Sequence, residues 1–182
     1  MLTAILIILV ILVIIIFASY FNKFAVLSNR IENSLSQINV QLKRRTDLIP
    51  NLLETVKSYA KHEKQIMKSV TEARKALVSA KGLQKKVKAN NVLEGALGKL
   101  FAIAENYPQL KANENFLELQ RELSSTEDKV AYSRQFYNDS ILTYNNLCTT
   151  FPGNLFASIY GRKKKEFFKI EAVDKKLPKV KF

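Results

Sequence analysis

Residues 33–63, NSLSQINVQLKRRTDLIPNLLETVKSYAKHE, hold the pattern that decides the fold. Apolar side chains recur in this stretch at heptad spacing, and one column passes through Ile38, Leu52 and Tyr59. A sustained 3.5-residue repeat is typical of a helix packed along its length on a near-parallel or antiparallel partner. The stretch offers no nucleophile, metal cage or phosphate loop. It therefore predicts helical architecture rather than catalytic chemistry.

The repeat extends beyond this stretch, from Phe24 to Leu77. Its two core columns are apolar or aromatic except at Ser28, Arg45 and Glu63. We therefore predict a long helical arm over residues 24–77.

Pro50 complicates this arm, because a proline inside a helix loses one backbone hydrogen bond and clashes with the preceding turn, at about 3 kcal/mol. In one interpretation, a helix ends near Arg45 and a second begins with Asp47 as its N-cap and Pro50 in its first turn. In the other, one helix runs through with a kink. The heptad phase is unbroken from Leu42 to Val56, which favours the continuous helix.

Arg45 occupies a core column and follows Lys43 and Arg44. An unpaired buried charge is very costly, so we expect either an acid on a partner helix or a side chain that extends to solvent. The candidate interaction and structural residues are Lys43, Arg44, Arg45, Asp47, Pro50, Glu127 and Asp128, the last two being the proposed partners of Arg45.

Residues 2–21, LTAILIILVILVIIIFASYF, contain no charge and would span about 30 Å as a helix, the thickness of a bilayer's hydrocarbon core. Tyr20 and Phe21 lie where an interfacial aromatic belt would be, with Lys23 just beyond. A cleaved signal peptide would have a basic n-region and a shorter apolar run. We predict a retained single-pass anchor.

The charges around this anchor are asymmetric. No charged side chain precedes it, whereas Lys23 and Arg30 follow it closely. The positive-inside rule therefore predicts a cytoplasmic (inner) membrane protein with a short external N-terminus and a cytoplasmic C-terminal body.

The later chain predicts further helices. Residues 81–88, KGLQKKVK, break the pattern at a cationic tip, with Gly82 as a helix stop. Asn91 resembles the cap of a short helix, and Asn113 the cap of a last long helix that stops at Phe151-Pro152-Gly153.

We therefore predict an all-α fold. The transmembrane helix over residues 1–22 continues into an elongated antiparallel bundle of long helices over residues 23–153, followed by a basic C-terminal segment over residues 154–182.

Two stretches resemble the signature of LemA-family membrane proteins. They are QLKRRTDLIPNLLETVKSYAKHE (41–63) and ENYPQLKANENFLELQRELSSTEDKVAYSRQFYNDSILTYNNLCTTFP (105–152). The leading apolar helix and the Phe167-Phe168 pair also fit this family. The resemblance implies one N-terminal membrane helix and an α-helical cytoplasmic body. By association it also implies membrane organisation, because a relative takes part in forming magnetosome membranes. A partnership with a membrane zinc metalloprotease of the HtpX type is implied too, since some members are encoded beside one.

Catalytic groups are scarce. His62 is the single histidine, and although His62-Glu63 begins like a zincin motif, no second histidine follows four residues on. One histidine and the distant Cys148 cannot form a zinc site. We predict no metal, no cofactor and no enzyme activity, with His62 as a polar partner beside the bundle seam and Cys148 as a small buried residue.

The net charge of +13 predicts an anionic partner. No zinc finger, helix-turn-helix or aromatic platform accompanies it, so we expect anionic lipid rather than nucleic acid. The alternative for the tail is a solvated, partly disordered segment. The candidate lipid-contact residues are Lys163, Lys164, Lys165, Phe167 and Phe168.

Apolar side chains outside the strict columns predict lateral association into a homo-oligomer. The sequence thus predicts a non-enzymatic, self-assembling membrane scaffold. The alternative is an adaptor or regulator of a membrane protease.

Overall fold

The computed structural model describes residues 1–168, and these residues confirm the all-α fold, since no strand occurs among them. The helices in this range are α1 (Leu2–Tyr59), α2 (Lys64–Ser79), α3 (Leu83–Ala104), α4 (Pro108–Lys111), α5 (Glu114–Thr149) and α6 (Gly153–Ile159).

The chain divides into two compact units. Unit 1 comprises Met1–Ser34 and Arg134–Phe182, of which residues 169–182 lie outside the described part, and unit 2 comprises Leu35–Ser133. Both α1 and α5 contribute residues to each unit. The domain limits at residues 22 and 153 stay a prediction.

Unit 2 is an antiparallel arrangement of four longer helical stretches with the one-turn helix α4 between α3 and α5, and α2 is the first to reverse direction. The Arg74 side chain of α2 reaches back to Thr46 of α1 through a hydrogen bond of 2.7 Å. α3 then runs in the same direction as α1, because Lys86 contacts Asn39 and, further along both helices, Asn90 contacts Arg45.

The first half of α5 closes unit 2 by running antiparallel to α1. Asn113, just before α5, donates to the Tyr59 hydroxyl near the end of α1, and Glu122 pairs with Arg44 further back. The buried apolar side chains of unit 2 are Ile38, Leu42, Ile49, Leu52, Val56, Ala60, Val70, Ala73, Leu77, Val87, Leu93, Ala96, Leu97, Leu100, Ala104, Leu110, Phe116, Leu123 and Val130.

The predicted single arm over residues 24–77 is wrong, because the chain reverses at residues 60–63, between α1 and α2. Both helices bury their apolar residues in one core, so Val56 and Val70 keep the heptad phase across the reversal. The polar exception at Glu63 marks the turn, where its carboxylate accepts a 3.0 Å hydrogen bond from the Tyr107 hydroxyl. Heptad phase alone does not distinguish a continuous helix from a hairpin.

The predicted cationic tip is also wrong in part. Gly82 does follow a helix end, with a φ of +80° that favours glycine, but α3 begins immediately at Leu83. Asn91 therefore lies inside α3 rather than at its cap. Lys81 precedes α3, Lys85 and Lys88 are exposed on it, and Lys86 donates to Asn39, so these lysines do not interrupt the helix.

The continuous course of α1 through Pro50 is confirmed. Proline has no N–H, so the carbonyl four residues earlier, on Thr46, receives no hydrogen bond from position 50. Arg74 Nε donates to that carbonyl at 2.7 Å. The arginine of α2 therefore supplies the donor that the proline lacks.

In unit 1, residues 24–30 of α1 lie antiparallel to the second half of α5. The Phe24 ring lies 5.7 Å from that of Tyr144, and the Arg30 guanidinium lies 5.3 Å from the ring of Phe136. The buried cluster consists of Phe24, Ile31, Ile141, Tyr144, Phe156 and Ala157.

The ends of α5 are close to those predicted. Asn113 caps its start, with Oδ1 accepting from the Phe116 N–H at 3.0 Å, as the sequence predicted. The helix ends at Thr149, just before the Pro152-Gly153 stop. The sequence missed α6, which begins at Gly153 directly after that stop.

Candidate membrane interface

The first part of α1 exposes its apolar side chains on all sides. Residues 2–21 are exposed or half-buried, and α1 is the one helix of the described chain that is long and apolar enough to cross a membrane. So much apolar surface is unfavourable in water and favourable in lipid. This segment defines the membrane-associated end of unit 1.

The short helix α6 packs on α1 through aromatic rings. Phe156 stacks on Tyr20 at a centroid distance of 4.3 Å and meets Phe17 edge to face at 5.0 Å. The Tyr160 hydroxyl donates a 2.7 Å hydrogen bond to the backbone carbonyl of Phe17. Since Phe17 belongs to the uncharged segment, α6 lies beside the end of that segment.

The other side of α6 and Phe151, shortly before its start, expose large apolar side chains. Phe151, Leu155 and Ile159 follow one another at four-residue spacing and are 80%, 54% and 61% exposed. Gly153 lets this turn close, because a Cβ there would lie only 2.2 Å from the Leu147 carbonyl oxygen. The result is an outward apolar stripe next to the membrane-associated part of α1.

Residues 162–168 form an extended strap held on α5 by two asparagines. The Asn145 amide accepts from the Lys165 N–H at 2.8 Å and donates to the Lys165 carbonyl at 2.9 Å. The Asn138 amide does the same for Phe168, at 2.8 and 3.2 Å. Each side-chain amide thus pairs with both the N–H and the carbonyl of one residue, and the two pairs fix the course of the strap.

Some of the predicted lipid-contact residues are exposed on the strap, and others contact the rest of unit 1. Lys165 donates to the Ser28 hydroxyl at 3.1 Å and lies over the Tyr144 ring. Phe168 is only 4% exposed and packs under the guanidinium of Arg134. Phe168 is therefore a core residue, which corrects its prediction as a lipid contact. The exposed members are Lys163, Lys164 and Phe167.

Two tyrosine hydroxyls and one thiol in unit 1 have a raised pKa. Burial raises the pKa of the Tyr137 and Tyr144 hydroxyls, and burial also raises the pKa of the Cys148 thiol. Cys148 is half-buried. A raised thiol pKa is opposite to that of an activated nucleophile, so this cysteine serves packing.

Unit 2 contains a buried polar network around Arg45. Arg45 is 3% exposed, forms an ion pair with Glu127, and donates to Asn90 Oδ1 at 3.0 Å. Of the two acids proposed, Glu127 is the partner, and the alternative that Arg45 extends to solvent is wrong. Asp128 is exposed. The helices α1, α3 and α5 meet at this network.

The remaining predicted interaction residues lie on the surface of unit 2. Lys43 pairs with Asp47 at 2.9 Å one turn away on α1, and Arg44 pairs with Glu122 of α5. Exposed pairs of this kind contribute little, about 0–1 kcal/mol. Their roles in interactions stay predictions.

No group of three or more histidine, cysteine, aspartate or glutamate side chains that could hold a metal ion occurs within residues 1–168. His62 is exposed in the turn between α1 and α2. Its predicted place beside the bundle seam is wrong, because the chain turns there.

Sequence reasoning missed Arg74, Asn138, Asn145 and Tyr160. The seven-residue spacing of the two asparagines was a usable signal, since it places both amides on one face of a helix. Nothing in the sequence pointed to the residues that they hold.

Fold and site together define a membrane-associated, all-α protein. A sequence model of the LemA family matches residues 34–182. The chain therefore belongs to the LemA family, as its signature stretches predicted.

Curated relatives agree with this assignment. The chain is similar to the magnetosome protein MamQ 2 of Paramagnetospirillum magneticum, at 27% identity over 174 residues. It is also similar to the magnetosome protein MamQ of Magnetospirillum gryphiswaldense, at 28% over 174 residues, and each alignment covers 81% of this chain and 64% of the relative. Protein LemA of Metamycoplasma hominis is 26% identical over 130 residues, with 71% and 59% covered. The chain thus spans somewhat less than two thirds of these relatives. None of them has the name of an enzyme.

Proposed function

We propose that this chain is a non-enzymatic, single-pass membrane scaffold that self-associates and organises membrane or partner proteins. The observation that supports this proposal most is the apolar surface that residues 2–21 and α6 expose together. The hydrogen bond from the Tyr160 hydroxyl to the Phe17 carbonyl holds the two parts of this surface side by side. In this role residues 2–21 of α1 span the bilayer, and Phe151 inserts beside them at the interface together with Leu155 and Ile159 of α6.

The proposed orientation places the folded units in the cytoplasm, against the inner membrane. The cations Lys23 and Arg30 follow the apolar segment closely. Beyond α6, the exposed Lys163 and Lys164 then face the anionic headgroups, where each cation contributes about 1 kcal/mol. Exposed Phe167 adds an apolar contact.

A single tryptophan tests the insertion of α6, because the chain has none of its own. We expect Leu155→Trp in vesicles to emit at short wavelength and to be quenched by brominated acyl chains. Val92→Trp, at a comparably exposed position of α3, is the matched control and should stay unquenched. Equal behaviour of the two variants would contradict the insertion.

Two measurements test the scaffold role. Resistance to alkaline carbonate shows an integral anchor, and lysine-specific cross-linking in native membranes detects copies of the chain next to each other. The names of the MamQ relatives, which are magnetosome proteins, favour a role in organising a membrane compartment. A monomer in cross-linking would overturn self-association. Stoichiometric capture of an HtpX-type protease would instead favour the adaptor function.

A further inference from the structure

Unit 1 has an open groove of about 920 Å³ between α1 and α5, on a side that α6 does not cover. One stripe of α1 and one stripe of α5 form its walls. Ile15, Ala18 and Leu147 are among the apolar lining residues, while Lys23 and Thr143 are among the polar ones. The volume is in the range of about 300–1,000 Å³ that is usual for small-molecule sites.

Polarity changes along the groove in the direction of the α1 axis. Ile15 lies about 12 Å before Lys23, at 1.5 Å per residue, and inside the segment proposed to span the membrane. Asn22 and Lys23 line the groove further along α1, before the apolar Val26 and Leu27, and the Lys23 ammonium lies 4.7 Å from the Tyr20 ring centre. No carboxylate within residues 1–168 forms an ion pair with Lys23.

Two threonine hydroxyls line the groove, Thr143 towards Lys23 and Thr150 towards Ala18, and each bonds to a carbonyl four residues earlier. Thr143 donates to the Asp139 carbonyl at 2.9 Å, and Thr150 donates to the Asn146 carbonyl at 2.8 Å. Their oxygens can therefore still accept hydrogen bonds from a ligand. A cation together with acceptors suits a phosphate that carries a hydroxylated headgroup.

We propose that this groove binds one anionic glycerophospholipid, with an acyl chain along Ile15, Ala18 and Leu147 and the phosphate at Lys23. The proposal rests on the membrane-spanning role of α1, which brings lipid to this face in large excess. A second copy is a poorer occupant, because a two-fold contact centred here would bring the two Lys23 side chains together.

Native mass spectrometry of the full chain in mild detergent tests the site, with phosphatidylglycerol and phosphatidylcholine as probes. We expect one phosphatidylglycerol molecule to bind in preference to phosphatidylcholine. Ala18→Phe fills the groove and should abolish this binding. Lys23→Gln should reduce the preference about fivefold, as loss of one cation near a lipid surface predicts. Matched controls are Ala4→Phe, on the exposed apolar segment, and Lys57→Gln in unit 2.

Unchanged binding in Ala18→Phe, or an unchanged preference in Lys23→Gln, would overturn the lipid site. Loss of cross-linked copies in Ala18→Phe with lipid binding intact would also overturn it, and would assign the groove to a protein contact. Carbonate extraction of the same variants separates this outcome from failure of the anchor. If both variants resist carbonate extraction and bind lipid as the wild type does, the lipid site in the groove is refuted and the membrane anchor is not.

Discussion

Replacing Arg74 tests how α1 continues through Pro50. Arg74 Nε lies 2.7 Å from the Thr46 carbonyl, which receives no N–H from position 50. Arg74→Met keeps most of the apolar stem and removes the donor. The buried carbonyl is then left without its partner, so we expect α1 of unit 2 to open more readily.

The magnitude follows from the cost of an unsatisfied buried acceptor. Such a group costs about 1–3 kcal/mol, and we expect about 2 kcal/mol here, because Thr46 is buried and its partner is charged. Pro50→Ala restores the N–H, so in that background Arg74→Met should cost only about 0.5 kcal/mol. The coupling of about 1.5 kcal/mol corresponds to roughly a tenfold change in the opening equilibrium.

Hydrogen exchange of peptides from α1, measured by mass spectrometry on the detergent-solubilised chain, gives the opening free energy of this region. The wild type, both single variants and the double variant complete the cycle. Lys75→Met, at the exposed neighbouring position of α2, should show no coupling to Pro50→Ala. An equal cost of Arg74→Met in both backgrounds would refute the idea that the arginine replaces the missing donor.

Three further outcomes follow from the structure. Glu127→Ala removes the acid that pairs with buried Arg45 and should lower the free energy of unfolding by about 3–5 kcal/mol in a denaturant titration. Glu122→Ala breaks the exposed pair with Arg44 and should cost less than about 1 kcal/mol in the same titration. Gly153→Ala drives a Cβ into a carbonyl and should lower the melting temperature, while Gly98→Ala, with open space around its Cβ, should stabilise α3 by about 0.5–1 kcal/mol. Because burial raises the pKa of the Cys148 thiol, its alkylation should begin at higher pH than that of a free thiol. In the unfolded chain the thiol loses its proton at a lower pH than in the folded chain. The contribution of the protonated thiol to the free energy of unfolding is therefore lost as the pH rises above the ordinary pKa of cysteine.

Patterns local in sequence predicted local structure well. Asn113 caps α5 because the cap needs only a side-chain oxygen and an N–H three residues on. The uncharged residues 2–21 form a helix because lipid-compatible composition and length are local properties. The cost of burying an unpaired charge gave two alternatives for Arg45, an acid such as Glu127 or Asp128 or an extension to solvent, and the structure has the first with Glu127.

Features that depend on the path of the chain were not predictable. The reversal at residues 60–63 keeps the heptad phase, so periodicity could not reveal it. With seven residues, α6 is too short for a periodic signal, and its packing depends on rings of α1 more than 130 positions earlier in the sequence. Burial of Phe168 follows from a strap whose course is fixed by amides on α5. A sequence pattern carries no record of such pairings.

The two asparagines of α5 bond to backbone N–H and carbonyl groups at positions 165 and 168 and make no hydrogen bond to the side chains there. Such a grip places almost no demand on the identity of the residues that it holds. Proline is the exception, since it would remove the N–H that each amide needs. Amino-acid identity at these two positions is set instead by separate side-chain contacts, which Lys165 makes with Ser28 and Tyr144 and which Phe168 makes in the core beneath Arg134.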